Sequence, residues 1–403
     1  MRDFVFAFSL FTATLFFSIT AILGIDYSGG ASSHLYQYYC VTTSVIAFLT
    51  FFFCYVPQKK TIRNIITFFV LIVYFFVGVF SGFVSDKSFL CFCAFCIPSS
   101  CVGIYYANAK DFSSLVKWLD VFLLLISVSL IFLMMKLSAS ISAGTSNYSQ
   151  SLSYVSALCF LLDLFLLGFG GQFKRFHLFT TRVYKVFCYL LLAFYPVAIL
   201  YSGGRGGFVV FILGLLVYLF ISSRKKGQTV LLVGGVLLLF GVGSYLITRG
   251  FGTSQFLSDI QRNSARVFSY VSSEGIDMSE TSSRDFVYTI SLGLIRDNPF
   301  GYGLFNYKHL FRSITGQPYP HNLFLEWLIQ GGVIFFIVWI GVIIAFIVKI
   351  SRLIKHGLVS PVLCPLIIYP FVHLLFSSSY MEEPFFWFSL TYVFNYPIQR
   401  MNA

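Results

Sequence analysis

The sequence predicts an all-α polytopic membrane protein of about twelve spans with one large external loop that contains short helices. Three observations carry that reading. The 403 residues are 58% hydrophobic and only 10% charged, whereas a soluble domain carries about a quarter charged residues. Apolar windows of about 18 residues or more recur along most of the chain. The basic segments between them fall after every second window.

The windows lie at 4–25, 38–56, 64–85, 88–108, 114–137, 150–171, 183–201, 206–222, 228–248, 321–348, 359–378 and 384–398. The first lacks a small-residue cleavage site and reads as a retained helix rather than a signal peptide. With 51 Phe and 25 Tyr, the chain is rich in residues that suit lipid-facing and interfacial positions. The cluster Cys91, Cys93, Cys96 and Cys101 sits inside window four without a neighbouring His or acid. A metal site would want a second Cys-x-x-Cys pair, so buried packing is the better reading and no metal site is expected.

Basic residues follow the even-numbered windows: Lys59, Lys60 and Arg63; Lys110 and Lys117; Lys174, Arg175, Arg182 and Lys185; Arg224, Lys225 and Lys226; Lys349, Arg352 and Lys355; Arg400. Lys87 and Lys136 are isolated exceptions. By the positive-inside rule both termini are cytoplasmic. The net charge of +12 is spread over these loops, so it points to membrane topology and not to nucleic acid. Odd-numbered loops such as 26–33, 138–149 and 377–384 are polar and external.

The chain then divides into spans one to nine (1–248), an external segment (249–320) and spans ten to twelve (321–403). A loop this long is rarely a passive connector. Within it, Ser282 and Asp285 read as a helix start. Phe286, Ile290 and Leu294 share a face, and Asp297-Asn298-Pro299 and Gly301 end the helix. That face is expected to pack on the bundle and fix Arg284 near the outer surface.

Two stretches place polar groups at the lip of external-facing spans. In Ser202-Gly203-Gly204-Arg205-Gly206-Gly207, glycines permit close backbone approach, so several N–H groups can face one anion. The helix N-terminus adds positive potential, and Arg205 supplies a planar fork suited to phosphate. The bland alternative is a Gly-rich turn with an interfacial Arg. In the second stretch, His321 precedes Asn322 at the start of span ten, with Glu326 one turn in. An imidazole there suits acid–base work. Glu326, inside the apolar run, needs a partner, and His321 or an external Arg is the expected one. Asp163, inside span six, reads as a structural hydrogen-bonding residue. His373, Glu382 and Glu383 are weaker candidates for the same face.

The ordered set resembles the O-antigen polymerase and ligase superfamily. It comprises Ser-Gly-Gly-Arg-Gly-Gly before a span, Ser283-Arg284 opening an external helix, Asp297-Asn298-Pro299-Phe300-Gly301-Tyr302-Gly303, and His321-Asn322 followed by Gly331. The resemblance covers about 190–350. It implies a membrane-embedded GT-C-type glycosyltransferase of the bacterial inner membrane, working at the periplasmic face without metal or cofactor. The donor and acceptor it implies are glycans on undecaprenyl pyrophosphate, with a chain-length regulator as a further partner. Arg205 and Arg284 match the family's pyrophosphate-facing arginines and His321 its essential outer-face histidine. Gly203, Gly204, Gly206, Gly207, Asn322 and Glu326 are the expected substrate-binding surroundings. Ligases of the family often carry Arg-x-x-x-Leu where this chain has Arg205 and Val209, which favours a polymerase. A ligase with lipid A-core as acceptor remains the first alternative. A lipid-linked oligosaccharide flippase is the second, and it would want charged residues along a path through many spans.

Overall fold

The computed structural model describes residues 1–23, 30–55, 62–83, 86–109, 112–141, 147–222, 234 and 284–397. Window nine apart from Gly234, the segment 249–283 with the expected Ser282 cap, and several loop lysines and arginines lie outside these residues.

Among the described residues nine helices are long and apolar enough to cross a membrane, and they answer to windows one to eight and ten. They are α1 (Arg2–Leu23), α2 (Gly30–Tyr55) and α3 (Ile62–Phe80), then window four as α4 (Lys87–Cys91) joined through a π-turn to α5 (Ile97–Asn108). The series continues with α6 (Ser113–Ile141), α7 (Asn147–Phe169), a short α8 (His177–Thr180), α9 (Arg182–Ser202) and α10 (Arg205–Ser222). After the gap come α11 (Arg284–Asp297), α12 (Asn306–Thr315) and α13 (Leu323–Lys355). Two short helices close the fold, α14 (Cys364–Phe376) and α15 (Pro384–Asn395). The π-turn at Phe92–Cys96 lies just before Pro98, whose missing N–H cannot continue the ladder. Its Cys96 thiol donates to the Met381 carbonyl at 3.2 Å, so this cysteine works in packing.

Windows eleven and twelve form shorter helices than the other described windows. Their helices have 13 and 12 residues, roughly 20 Å at 1.5 Å per residue, short of the ~30 Å hydrocarbon core. Proline delays the start of α14, and the chain breaks at 377–383, where Ser378 has φ 61°. This segment is not the polar outer loop expected from sequence. Ser379, Tyr380, Met381 and Glu383 are buried in it. Its irregular backbone is satisfied internally: the Ser377 N–H donates to the His373 carbonyl at 2.8 Å, and the Tyr380 carbonyl accepts from Trp387 Nε1 at 2.7 Å. Non-helical backbone is tolerated at such a place only when protein surrounds it.

Side-chain contacts sort the bundle into two ends. At one end Arg63 donates to the Tyr396 carbonyl at 2.8 Å and Lys349 to the Phe394 carbonyl at 2.9 Å. Arg175 there grips Asp120 through two bonds of 2.7 and 2.5 Å. At the other end lie the starts of α4, α7, α10, α13 and α15 and the ends of α9 and α14. Asp163 is buried between them and accepts from the Tyr195 hydroxyl at 2.7 Å, which also meets Ser127. It is therefore a structural acceptor, as its position suggests.

The segment 284–320 is held to α13 by a backbone graft. Gly332 breaks the α13 ladder with φ 70°, ψ −166°. The carbonyls of Ile329 and Gln330 accept instead from the N–H groups of Tyr302 and Gly303, both at 2.8 Å, while the Val333 N–H donates to Pro299 at 2.9 Å. Gly301 and Gly332 face each other so closely that a Cβ on either would overlap the other segment's backbone. The Asp297–Gly303 turn and the Gly331-Gly332 pair thus form one joint.

The buried face of α11 differs from the expected one. Val287 and Ser291 are buried and pack with Tyr307 and Phe311 of α12 and Ile329 of α13, whereas Phe286 is 53% exposed. The stripe runs 287, 291, 294, one position on from 286 and 290, because α12 and the spanning helix α13 together supply the partner face. Val287→Asp is therefore expected to destabilise this subdomain by roughly 3 kcal/mol or more, as a buried unpaired charge does. Phe286→Asp should cost under about 1 kcal/mol. Limited proteolysis of the two purified variants, scored for cleavage at 284–320, checks the contrast.

Candidate active site

α9 ends at Gly203, whose φ of 66° closes the helix with its N–H on the Leu200 carbonyl at 3.1 Å, and α10 begins at Arg205. Gly204, Gly206 and Gly207 press on α7. A Cβ at Gly204 or Gly207 would overlap Ser153, and one at Gly206 would overlap the Tyr154 hydroxyl. Ser153 Oγ also donates to the Gly204 carbonyl at 2.8 Å. The glycines expected to cradle an anion thus serve close helix approach first. What they leave for a ligand is the positive N-terminus of α10 beside Arg205.

Arg284 opens α11 and donates from Nη2 to the carbonyl of Phe376 at 2.9 Å, the last residue of α14. That carbonyl is one of the unpaired acceptors of a helix end. One turn earlier on α14 stands His373. Its Nδ1 lies 2.7 Å from Glu383 Oε2, and its ring centroid is 4.2 Å from that of Tyr154. Tyr154 in turn abuts Gly206, next to Arg205. The end of α14 therefore contacts Arg284 directly and reaches the start of α10 through Tyr154.

His321 sits just before α13 with φ 54°, an uncommon conformation for a residue with a Cβ. Its Nδ1 is buried and lacks a hydrogen-bond partner among the described residues, and its ring meets Tyr319 edge-on at 4.7 Å. Burial, then the Arg284 charge, pull its pKa down to about 4. The imidazole is therefore neutral at pH 7, an acceptor but a weak base. As pH falls below the ordinary 6.5, the unfolded chain takes up this proton before the folded one, so stability present above pH 6.5 is lost on the way to pH 4. Melting temperatures between pH 7 and pH 5 should fall, and His321→Gln should flatten that slope.

Asn322 caps α13, its Oδ1 accepting from the N–H groups of Phe324 at 3.0 Å and Leu325 at 3.2 Å. This is a folding role for the residue expected beside the substrate. Glu326 is 1% exposed and does not pair with His321 or an arginine. It accepts from the hydroxyls of Tyr307 and Ser379, because α12 and the 377–383 segment reach it first. Beside it lies a feature without a sequence signal: the buried Lys308, 2.7 Å from Glu382 Oε1. Burial alone would lower the lysine's pKa, but Glu382 and Glu326 outweigh it and hold it above the ordinary value. Lys308 likewise outweighs burial at Glu382 and holds that carboxylate below its ordinary value.

The site thus combines two arginines about a helix end, a neutral His321, a His373–Glu383 pair and a neutralised Lys308–Glu382 pair. It suits charge stabilisation on an anionic leaving group and hydrogen bonding to a hydroxyl. An apolar cleft of about 350 Å³ between α13 and α14 begins at Leu323, Phe324 and Leu375, beside these groups, and runs to Ile354 and Cys364.

The family model described as O-antigen ligase matches residues 187–340. That stretch holds Arg205, Arg284, His321 and Glu326 and stops short of His373 and Glu383. No curated protein and no solved structure matches the chain.

Proposed function

Because residues 187–340 carry the domain that places this chain in the O-antigen polymerase and ligase superfamily, we propose that it is a polymerase of O-antigen or a related surface polysaccharide. It works with lipid-linked polysaccharide substrates in the membrane. The terminal hydroxyl of one lipid-linked repeat unit attacks the anomeric carbon of a glycan on undecaprenyl pyrophosphate. The observation that carries this reading is Arg284 on the end of α14, with the Arg205 start of α10 joined to the same helix through Tyr154 and His373, at the head of an apolar cleft. A pyrophosphate bears charge that two fixed guanidinium groups and a helix N-terminus stabilise as it leaves, and an isoprenoid tail fits an apolar groove. His321, neutral and weakly basic, orients the acceptor hydroxyl. The alternation of basic loops puts this end of the bundle on the periplasmic side of the inner membrane and both termini in the cytoplasm.

The match to a family described as O-antigen ligase favours a second reading, a ligase that moves the glycan to lipid A-core. Donor chemistry is shared, so the acceptor decides. In a polymerase-null strain the chain should restore a ladder of lipopolysaccharide bands above core plus one repeat. In a ligase-null strain it should leave the core bare. The reverse pattern would establish the ligase.

A further inference from the structure

We propose that His373, held by Glu383, is the residue that takes the proton of the acceptor hydroxyl. This rests on the transfer reading above and adds to it a base that lies beyond the matched family stretch. Three observations lead there. The Nδ1–Glu383 contact of 2.7 Å fixes the neutral imidazole with its proton on Nδ1, which leaves the Nε2 lone pair outward. Nε2 has no protein partner among the described residues. The ring stands one turn from the carbonyl held by Arg284 and packs against the tyrosine that abuts Gly206 at the start of α10. Both side chains are sheltered, at 14% and 6% exposure for His373 and Glu383. A sheltered ionisable pair is a poor stability device, since apolar residues of similar volume hold a fold as well. Glu382 is turned away onto Lys308, so Glu383 is the one carboxylate bonded to this ring. Tyr154 from α7 and Tyr369 from α14 are the other titratable groups packed against the imidazole. Burial and Arg284 oppose protonation of His321, which makes it a poor base.

The step balances as follows. Nε2 of His373 takes the hydroxyl proton as the acceptor oxygen bonds to the anomeric carbon. The bond from that carbon to the pyrophosphate oxygen breaks, and its electron pair leaves on undecaprenyl pyrophosphate beside Arg205 and Arg284. The imidazolium, stabilised by Glu383, then releases the proton to water.

The test uses the purified full-length protein in proteoliposomes with undecaprenyl-pyrophosphate-linked repeat unit extracted from polymerase-deficient cells. His373→Gln should lower kcat by roughly two to three powers of ten with KM changed less than about threefold. Glu383→Gln presents an amide N–H to Nδ1, flips the tautomer and should cost about as much, and the double variant should lose no more than either alone. Nitrogen-15 histidine spectra of the unliganded protein, with His373→Gln as the assignment control, should show an Nδ1–H tautomer in the wild type. An Nε2–H tautomer, or transfer by His373→Gln within about threefold of wild type, would overturn the proposal. A wild type that releases no undecaprenyl pyrophosphate would overturn the transfer reading and this step with it, and the spectra would still report the pair.

Discussion

Arg284→Ala is expected to insert and accumulate normally while transfer falls by roughly two to three powers of ten. One of the five N–H donors of Arg284 holds the Phe376 carbonyl at 2.9 Å. The others have no partner among the described residues, so the fork can hold an anion without breaking a protein contact. Arg284→Lys keeps the charge and loses the planar fork, so it should recover little. Arg205→Lys should behave alike from the other side of the α14 end. Turnover of lipid-linked repeat unit, with membrane content measured on the same samples, separates loss of chemistry from loss of protein. Near-normal polymer from both Arg284→Ala and Arg205→Ala would return these residues to interfacial roles.

The second large effect is on the fold. Gly332→Ala should destabilise the α13 kink and release 284–320 from it. Its φ and ψ lie in a region that only glycine visits readily, which costs a side chain roughly 1–3 kcal/mol. A Cβ there would also overlap the Pro299 carbonyl. Gly341→Ala, farther along α13 with open space around it, is the control and should raise or leave the melting temperature. Because the graft positions Arg284 and His321 together, Gly332→Ala should lose activity and protease resistance in parallel. Activity lost with protease resistance intact would contradict the joint.

Much of this was legible in the residues. The apolar windows gave eight spans and the tenth, because a membrane segment announces itself by length and composition alone. Arg205 and His321 were legible as a charge and an imidazole beside span starts, and Arg284 as a charge opening an external helix. What sequence could not show was partner choice. Glu326 needed a donor, and the chain supplies Tyr307 and Ser379 from segments 19 and 53 residues away. Such pairings depend on tertiary placement. Windows eleven and twelve gave no hint of the buried break between them, because apolar composition does not show where a helix stops. The α11 stripe shifted because a face is set by its neighbours, here α12 and α13. Lys308 gave no signal, since its burial exists only once Glu382 is folded against it.

Reconstitution tests the central claim most directly. The purified chain in liposomes is given undecaprenyl-pyrophosphate-linked repeat unit, with a chelator present and lipid A-core either absent or added. Lipid-linked dimers and longer oligomers should appear without lipid A-core, in step with release of undecaprenyl pyrophosphate. No oligomer without lipid A-core, and transfer onto the core when it is added, would contradict the account.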